Sequence, residues 1–488
     1  MSSFASALRL MFSVASLIFL SSTLFFVPQA KALELDWHGR FRAEMNTIYG
    51  YTHGVASLPN DGYSISNSGD SPATFQNLFM RLEPRVLVND NVTLHSDFWL
   101  GLPDRSFFGS DGHGSRNFSS TTTGNANVSA HALYAEIATD FGTLHVGRFP
   151  LNWGLGLVWS ARDDGWGRLP SNGDGFSLLT KLGAFQFMPA IVKYEDGNSS
   201  GVVGNSGASD YSVSLTYKND DEQVDLGILF LRRIAGVNAN IVNPFSGTPV
   251  APNTQVATAG YAYNIWDFYA KKRSGIFIFK AEVPLANGLV ASKDFSTVAG
   301  AVKATAQTSE HWSLNLNLGS ANGQSNGAGG VPPSKFTAFY FHPDYRPGLI
   351  LFNYNFRNSV SGTGSPYDNA VTNAKFLAIG AQYASGKWTH GGQWLYAIAD
   401  KTADGSAGNI YFNTLDRHYQ TENGGTAQEK SLGFEIDYNM GYQWDEAIRF
   451  GLDLGLYFPG KFYDFNNGAI ANTHKAVFAS NLNVLVKF

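Results

Sequence analysis

Hydrophobic and polar residues alternate along this chain with period two. From 448 to 457, Ile448, Phe450, Leu452, Leu454 and Leu456 alternate with Arg449, Gly451, Asp453, Gly455 and Tyr457. Side chains two apart share a face of a β-strand, so such a run carries one apolar face and one polar or tiny face. The same pattern sets Trp312, Leu314, Leu316 and Leu318 against Ser313, Asn315 and Asn317. It sets Tyr211, Val213, Leu215 and Tyr217 against Ser212, Ser214, Thr216 and Lys218, and Leu432, Phe434, Ile436 and Tyr438 against Gly433, Glu435, Asp437 and Asn439. The last run puts Leu482, Val484, Val486 and Phe488 on one face, with Asn481, Asn483 and Lys487 on the other.

Pairing the runs across tight turns predicts strands at 34-48, 74-88, 92-102, 128-138, 142-149, 175-182, 185-194, 210-218, 222-233, 260-271, 275-286, 295-307, 311-320, 374-384, 387-398, 429-440, 446-457 and 475-487. A soluble sandwich would alternate as well. Three features favour an all-β transmembrane antiparallel barrel of about 18 strands (16-20). Connections alternate tight (Asn89 to Asn91, Asp140 to Gly142, Ser385 to Lys387) with long (50-73, 103-127, 234-259, 321-373, 399-428), as short periplasmic turns and long extracellular loops do. Aromatics crowd strand ends at Phe149, Trp153, Trp159, Tyr411, Phe412, Phe458 and Phe462, where rings would sit at the lipid headgroups. The chain also stops on an aromatic at the end of an alternating run. Only closure satisfies every backbone amide in lipid. The segment 321-373 has two readings, an extra hairpin from Phe336 to Phe341 and Leu349 to Phe356, giving twenty strands, or a loop folded inward.

Composition sharpens this picture. Among 488 residues, glycine (52) and aromatics (14%) are high, while charged residues (15%) fall below the roughly 25% of soluble domains. With no cysteine, disulfides, thiolate metal sites and lipid anchoring through a cysteine are excluded. A formal charge of -5 and pI near 6.1 argue against nucleic acid as a partner. Arg9, the apolar stretch from Leu10 to Val27 and Ala30-Lys31-Ala32 read as a secretory signal peptide over 1-32, leaving 33-488 as the barrel domain. Cleavage removes Arg9 and Lys31 and no acid, which takes the charge from -5 to -7. No later run is apolar and long enough for a spanning helix.

These features resemble the porin group of Gram-negative outer-membrane barrels. The segment Gly147-Arg148-Phe-Pro150-Leu-Asn-Trp153-Gly154-Leu-Gly156 looks like the Gly-Arg-x-Pro-x-x-Trp-Gly-x-Gly segment of porin-like proteins whose substrates are largely unassigned, a group that includes relatives of exopolysaccharide export barrels. The resemblance implies location in the outer membrane, contact with its lipid and lipopolysaccharide, and transport of small hydrophilic solutes, ions among them. It also implies that the barrel-assembly machinery reads Leu482, Val484, Val486 and Phe488, and that the loop after the fifth strand, 150-174, folds inward as a constriction.

If the apolar faces meet lipid, the opposite faces meet water. The wall then carries His38, Arg40, Arg42, Glu44, Asn46, Asn77, Arg81, Glu83 and Arg85 on the first two strands. Acids stand elsewhere: Asp97, Glu136, Asp225, Glu435, Asp437 and Asp453, with Glu282 beside Lys280. Such a distribution either makes a transverse field that sorts ions or pairs across strands to brace the wall. In the loop, Trp153, Trp159, Arg162, Asp163, Asp164, Trp166, Arg168 and Asp174 are candidate constriction residues; aromatic rings there could act as a slide for sugar faces, while packing the loop onto the inner wall is the favoured role for any single tryptophan.

Gly197-Asn-Ser199-Ser-Gly201 matches the G-x-S-x-G elbow but sits in a predicted loop, not a strand-to-helix turn, and the histidines lack metalloprotease spacing, so neither an enzyme nor a cofactor is expected. Loosely held calcium at acidic loops has no ligand pattern behind it. The alternative to a channel is a surface-exposed structural or adhesive protein whose Gly-, Ser-, Asn- and Thr-rich loops bind a partner. The outward apolar pattern suits lipid and a sister subunit alike, so a homotrimer and a monomer stay equal alternatives.

Overall fold

The computed structural model describes residues 34–50, 73–101, 103, 128–161, 165–195, 208–235, 260–290, 293–331, 333–354, 367, 369–413, 418–465 and 475–488. The signal peptide and most of the long loops read from the sequence lie outside them.

Eighteen antiparallel strands close into one barrel. They are β1 (Glu34–Asp36 and Gly39–Tyr49), β2 (Ala73–Leu82 and Arg85–Asn89), β3 (Val92–Leu100), β4 (Val128–Thr139), β5 (Gly142–Pro150), β6 (Asn172–Leu182), β7 (Phe185–Glu195), β8 (Ala208–Asn219), β9 (Val224–Ala235), β10 (Tyr261–Ser274), β11 (Phe277–Val290), β12 (Lys293–Gln307), β13 (Trp312–Ala321), β14 (Ala374–Ser385), β15 (Trp388–Ala399), β16 (Ser431–Gln443), β17 (Ile448–Pro459) and β18 (Val477–Lys487). Each pairs with its chain neighbours, and β18 returns to β1, with Arg40 opposite Lys487 and Tyr49 opposite Phe478. Every strand end agrees with the sequence reading to within four residues. No helix among the described residues is long and apolar enough to cross a membrane.

Local chemistry explains the joints. Gly183, Gly275 and Gly386 sit in tight turns at φ +60, +57 and +56, a region closed to most side chains. Pro84 interrupts β2 because it has no N–H to donate to the ladder, and its carbonyl instead accepts the Ser96 amide at 3.2 Å and the Ser96 hydroxyl at 2.8 Å. Gly433 opens a bulge where β16 slips against Ala397 and Ile398. The bulge turns Leu432 inward, so it is buried instead of continuing the outer face with Phe434, Ile436 and Tyr438.

The outer face is an apolar belt, exposing Trp266, Phe268, Phe279, Leu285, Ile379, Trp394, Ile436 and Leu482. Aromatic pairs rim its short-turn end: Phe185 with Tyr217 (5.2 Å), Trp312 with Tyr383 (5.0 Å) and Trp388 with Tyr442 (4.5 Å). The aromatic residues expected at the headgroups are mostly placed elsewhere. Phe149, Trp153, Trp159, Tyr411, Phe412 and Phe462 are all buried in the apolar cluster within the fold, and only Phe458 lies on the outer face, stacked on Phe434 at 4.8 Å. Aromatic enrichment at a strand end has the same sequence signature whether the ring meets lipid or holds down a loop.

Of the two readings of 321-373, the structure has the inward one. Among its described residues the one strand is Lys335–Phe336, bridging to Asp294 and Phe295 of β12, and Phe339, Phe341, Ile350, Leu351 and Tyr354 are buried.

Candidate functional site

Two segments enter the barrel, one between β5 and β6 and one between β13 and β14. The first begins with the glycine-rich string. Arg148 forks onto Asp174 of β6 at 2.6 and 2.8 Å, a bidentate pair that locks β5 to β6 at the mouth of the segment. Gly154 then turns at φ +56, and a Cβ there would lie 2.5 Å from the Glu282 carboxylate of β11. The missing side chain lets Glu282 accept the Leu155 amide and, at 3.0 Å, the Leu157 amide.

Further on, Trp159 donates its indole N–H to the Tyr194 hydroxyl of β7 at 3.0 Å. That hydroxyl donates to Asp210 of β8 at 2.6 Å, and Arg233 of β9 completes the chain with bonds of 2.7 and 2.6 Å to the same carboxylate. Asp210 and Arg233 are fully buried and directly opposite in register. Pairing strands across the 219–224 turn would have brought them together; the sequence reading did not single them out.

The segment then reaches the far wall. Arg168 binds Glu44 of β1 through both terminal nitrogens, at 2.8 and 2.7 Å, while Arg42 holds the Gly165 and Gly167 carbonyls at 2.9 and 3.2 Å. β11 stands ten strands from β1 in one direction and eight in the other, so a chain anchored at Glu282 and at Glu44 crosses almost the full width of the lumen.

The second segment locks onto the first. The carboxylate of Asp344 accepts the Arg168 and Leu169 amides at 3.0 Å and pairs with Arg346, and the His342 amide donates to the Leu157 carbonyl at 2.9 Å. Wall residues hold its other points: Glu435 takes the Ile350 and Leu351 amides at 2.7 Å each, Asn46 accepts the Tyr354 hydroxyl at 3.2 Å, and Tyr367 lies under the Arg168 guanidinium at 3.6 Å. The carboxylates of Glu282, Glu44, Asp344 and Glu435 thus serve as sockets for segment backbone or side chain, where desolvation makes each charge-assisted bond strong.

Beside the second segment a cavity of about 380 Å³ remains against β15 to β18 and β1. Its lining alternates charge and amide: Glu44, Asp437 and Asp453 against Arg168, Arg346 and Arg449, with Asn353, Gln393, Asn439, Asn481 and Asn483 between them and Trp166 at one side.

The residues singled out from the sequence divide accordingly. Arg40, Arg81, Glu83 and Asp97 form a ladder across β1, β2 and β3, with contacts of 3.2 Å (Arg40 to Glu83), 2.8 Å (Arg81 to Glu83) and 3.0 Å (Arg81 to Asp97), which is the geometry of a wall brace. Arg42 and Glu44 are buried beneath the inner segments instead of facing open water, Arg168 is buried where the first segment meets them, and Glu435 and Asp437 lie under the second segment. Glu136 sits between His95 (3.2 Å) and His145 (3.7 Å), with Arg85 opposite His95 in the ladder. Asp453 accepts from Asn483 at 3.0 Å at the cavity. Arg162, Asp163 and Asp164 lie outside the described residues. Leu482 is exposed on the outer face, and Phe488 pairs with Gly39 through N–H···O bonds of 2.7 and 3.0 Å. Val484 and Val486 share the outer side of β18 with Leu482.

No protein-family model and no curated protein matches the chain. Among solved structures it is similar to three Pseudomonas aeruginosa proteins, OccK8 (OprE), OccK9 (OpdG) and OccK2 (OpdF), at 11%, 12% and 9% identity. Each superposes with a TM-score of 0.50 over 93% of this chain and 98% of the other. At such identity the likeness establishes the barrel fold and leaves function to the site.

Proposed function

We propose that the chain is an outer-membrane channel for small hydrophilic solutes, with the two inner segments as its constriction. The observation that carries this reading is the polar cavity kept open beside segments that cross the lumen, inside a closed barrel with an apolar outer belt. Barrels of sixteen to eighteen strands enclose more space than their wall side chains fill, and here the inner segments narrow it. A structure titled OccK2 in complex with glucuronate, similar at 10% identity and a TM-score of 0.50, is compatible with a small polar solute in such a barrel. Because Arg40 and Arg81 are matched by Glu83 and Asp97, ion selectivity is expected to be weak.

One observation favours the alternative of a plugged anchor with adhesive loops: the inner segments bury an apolar core of their own, including Phe341, Leu351 and Tyr354. Conductance of the purified full chain in planar bilayers separates the two. Stable ohmic steps support the channel. A folded protein that never conducts yet binds cells or polysaccharide supports the anchor.

A further inference from the structure

The cavity's lining specifies what would occupy it. Asp437, Asn353 and Asn483 are each more than nine-tenths buried. All three residues line the same cavity but come from β16, the second inner segment and β18, so polar side chains surround it on three sides. A lining of amides, carboxylates and guanidiniums offers donors and acceptors together, which suits an occupant that makes hydrogen bonds in both senses.

Charge narrows the choice. Three carboxylates and three guanidiniums line the space, so their formal charges cancel. Arg168 is paired with Glu44, Arg346 with Asp344, and the Arg449 guanidinium lies over the Trp166 ring at 5.8 Å. An anion would meet Asp437 and Asp453, and a cation would meet Arg346 and Arg449. An uncharged molecule bearing many hydroxyls meets neither penalty, because each hydroxyl both donates and accepts. Planar amides and carboxylates suit vicinal hydroxyls, and an indole offers an apolar platform to a ring's C–H face. A volume of about 380 Å³ falls within the range of small-ligand sites.

We propose that this cavity is a binding site for a neutral sugar, of mono- to disaccharide size. The proposal deepens the channel reading, since a solute crossing the lumen would pass the cavity, and the test keeps the two apart. Isothermal titration of the folded full chain in detergent, with sucrose, glucuronate and lysine as probes, reads binding without conduction. Sucrose should bind with an affinity independent of salt, and the two charged probes at least tenfold more weakly. Asn483→Leu should weaken sucrose roughly tenfold by removing a polar group from the lining and filling space. Asn353→Ala, on the inner segment and outside the wall ladder, should do the same if the first variant fails to fold, as judged by its heat-modifiable band.

Tighter binding of glucuronate or lysine, sucrose binding untouched by either substitution, or no sucrose heat from a protein that conducts would each overturn the site. Sucrose binding that responds to the substitutions in a protein that never conducts would keep the site and remove the channel.

Discussion

Arg168 grips Glu44 with two nitrogens, at 2.8 and 2.7 Å, across a distance of 124 residues in sequence. Both side chains are buried, and Arg42 Nε and Asn481 Nδ2 approach the same carboxylate at 3.2 Å. Breaking a buried pair by removing one partner costs about 3–5 kcal/mol. Since Arg42 and Asn481 remain, Arg168→Met should cost about 3 kcal/mol, read as a lower midpoint of urea-induced unfolding. The double substitution R168M/E44Q should not recover that loss, because Arg42, whose Nε approaches the same carboxylate at 3.2 Å, then loses its own buried partner. If the single variant unfolds like the parent, the pair does not hold the first segment.

Gly154 gives a more local prediction. Its φ of +56 and the 2.5 Å gap to Glu282 leave no room for a methyl group. In Gly154→Ala the left-handed residue costs about 1–2 kcal/mol, and the Cβ displaces the carboxylate from the Leu155 and Leu157 amides. The barrel ladder does not depend on this cradle. The expected result is an intact heat-modifiable barrel with faster hydrogen exchange at Leu157 and larger, noisier conductance steps. Unchanged exchange at Leu157 would refute the role assigned to the cradle.

How far the fold could be read in advance follows from which interactions are local. Alternation and tight turns are nearest-neighbour properties, so β17 and its partner β16 were legible from Ile448 to Tyr457 and from Leu432 to Asn439 alone. Exceptions arise where geometry is not periodic. The bulge at Gly433 rotated Leu432 inward, and Phe149, Trp153 and Trp159 turned inward because the segment they anchor does. The site was legible as an inventory but not as an arrangement. Glu44 and Arg168 were both nameable, yet nothing short of the three-dimensional path of 151–171 sets one on the other. Asp344 and Tyr367 lie outside the two runs that 321-373 offered, Phe336 to Phe341 and Leu349 to Phe356, and Asn353 lies within the second, which read as a wall strand as readily as an inner segment.

Phe488 closes the seam. Its amide and carbonyl exchange bonds with Gly39, and its ring lies where a Cβ on Gly39 would be, at 2.5 Å. Deleting Phe488 removes both bonds at one end of the seam along which first and last strands pair from Arg40 and Lys487 to Tyr49 and Phe478, together with the terminal aromatic proposed as an assembly signal. Loss of the heat-modifiable band in membranes is expected. Refolding of the purified variant in detergent separates the two contributions: normal refolding in vitro with failed insertion in cells points to recognition, and failure in both points to the seam. Normal assembly in cells would count against both roles.

Glu422, in the connection between β15 and β16, offers a test in pH. Burial, reinforced by the neighbouring Asp404 carboxylate, pushes its carboxyl above the usual range, while Asp404 is held below its own range, chiefly by the Ser406 amide at 2.8 Å. Glu422 Oε1 accepts the Asp404 amide at 3.3 Å, and Oε2 is buried without a partner. A carboxyl whose folded value is raised adds stability that is complete below the ordinary Glu range and is lost as pH rises through the elevated value. Protection of the Gly408 and Glu422 amides, which bond across the base of a hairpin formed by Ile410–Asn413 and His418–Thr421 at 2.8 and 2.7 Å, should therefore fall over that window once intrinsic exchange is corrected. In Glu422→Gln the side-chain amide can donate to Asp404, so protection should rise by about 1 kcal/mol at neutral pH and lose its dependence on acid. A Gln variant that keeps the parent's pH profile would place the titrating group elsewhere.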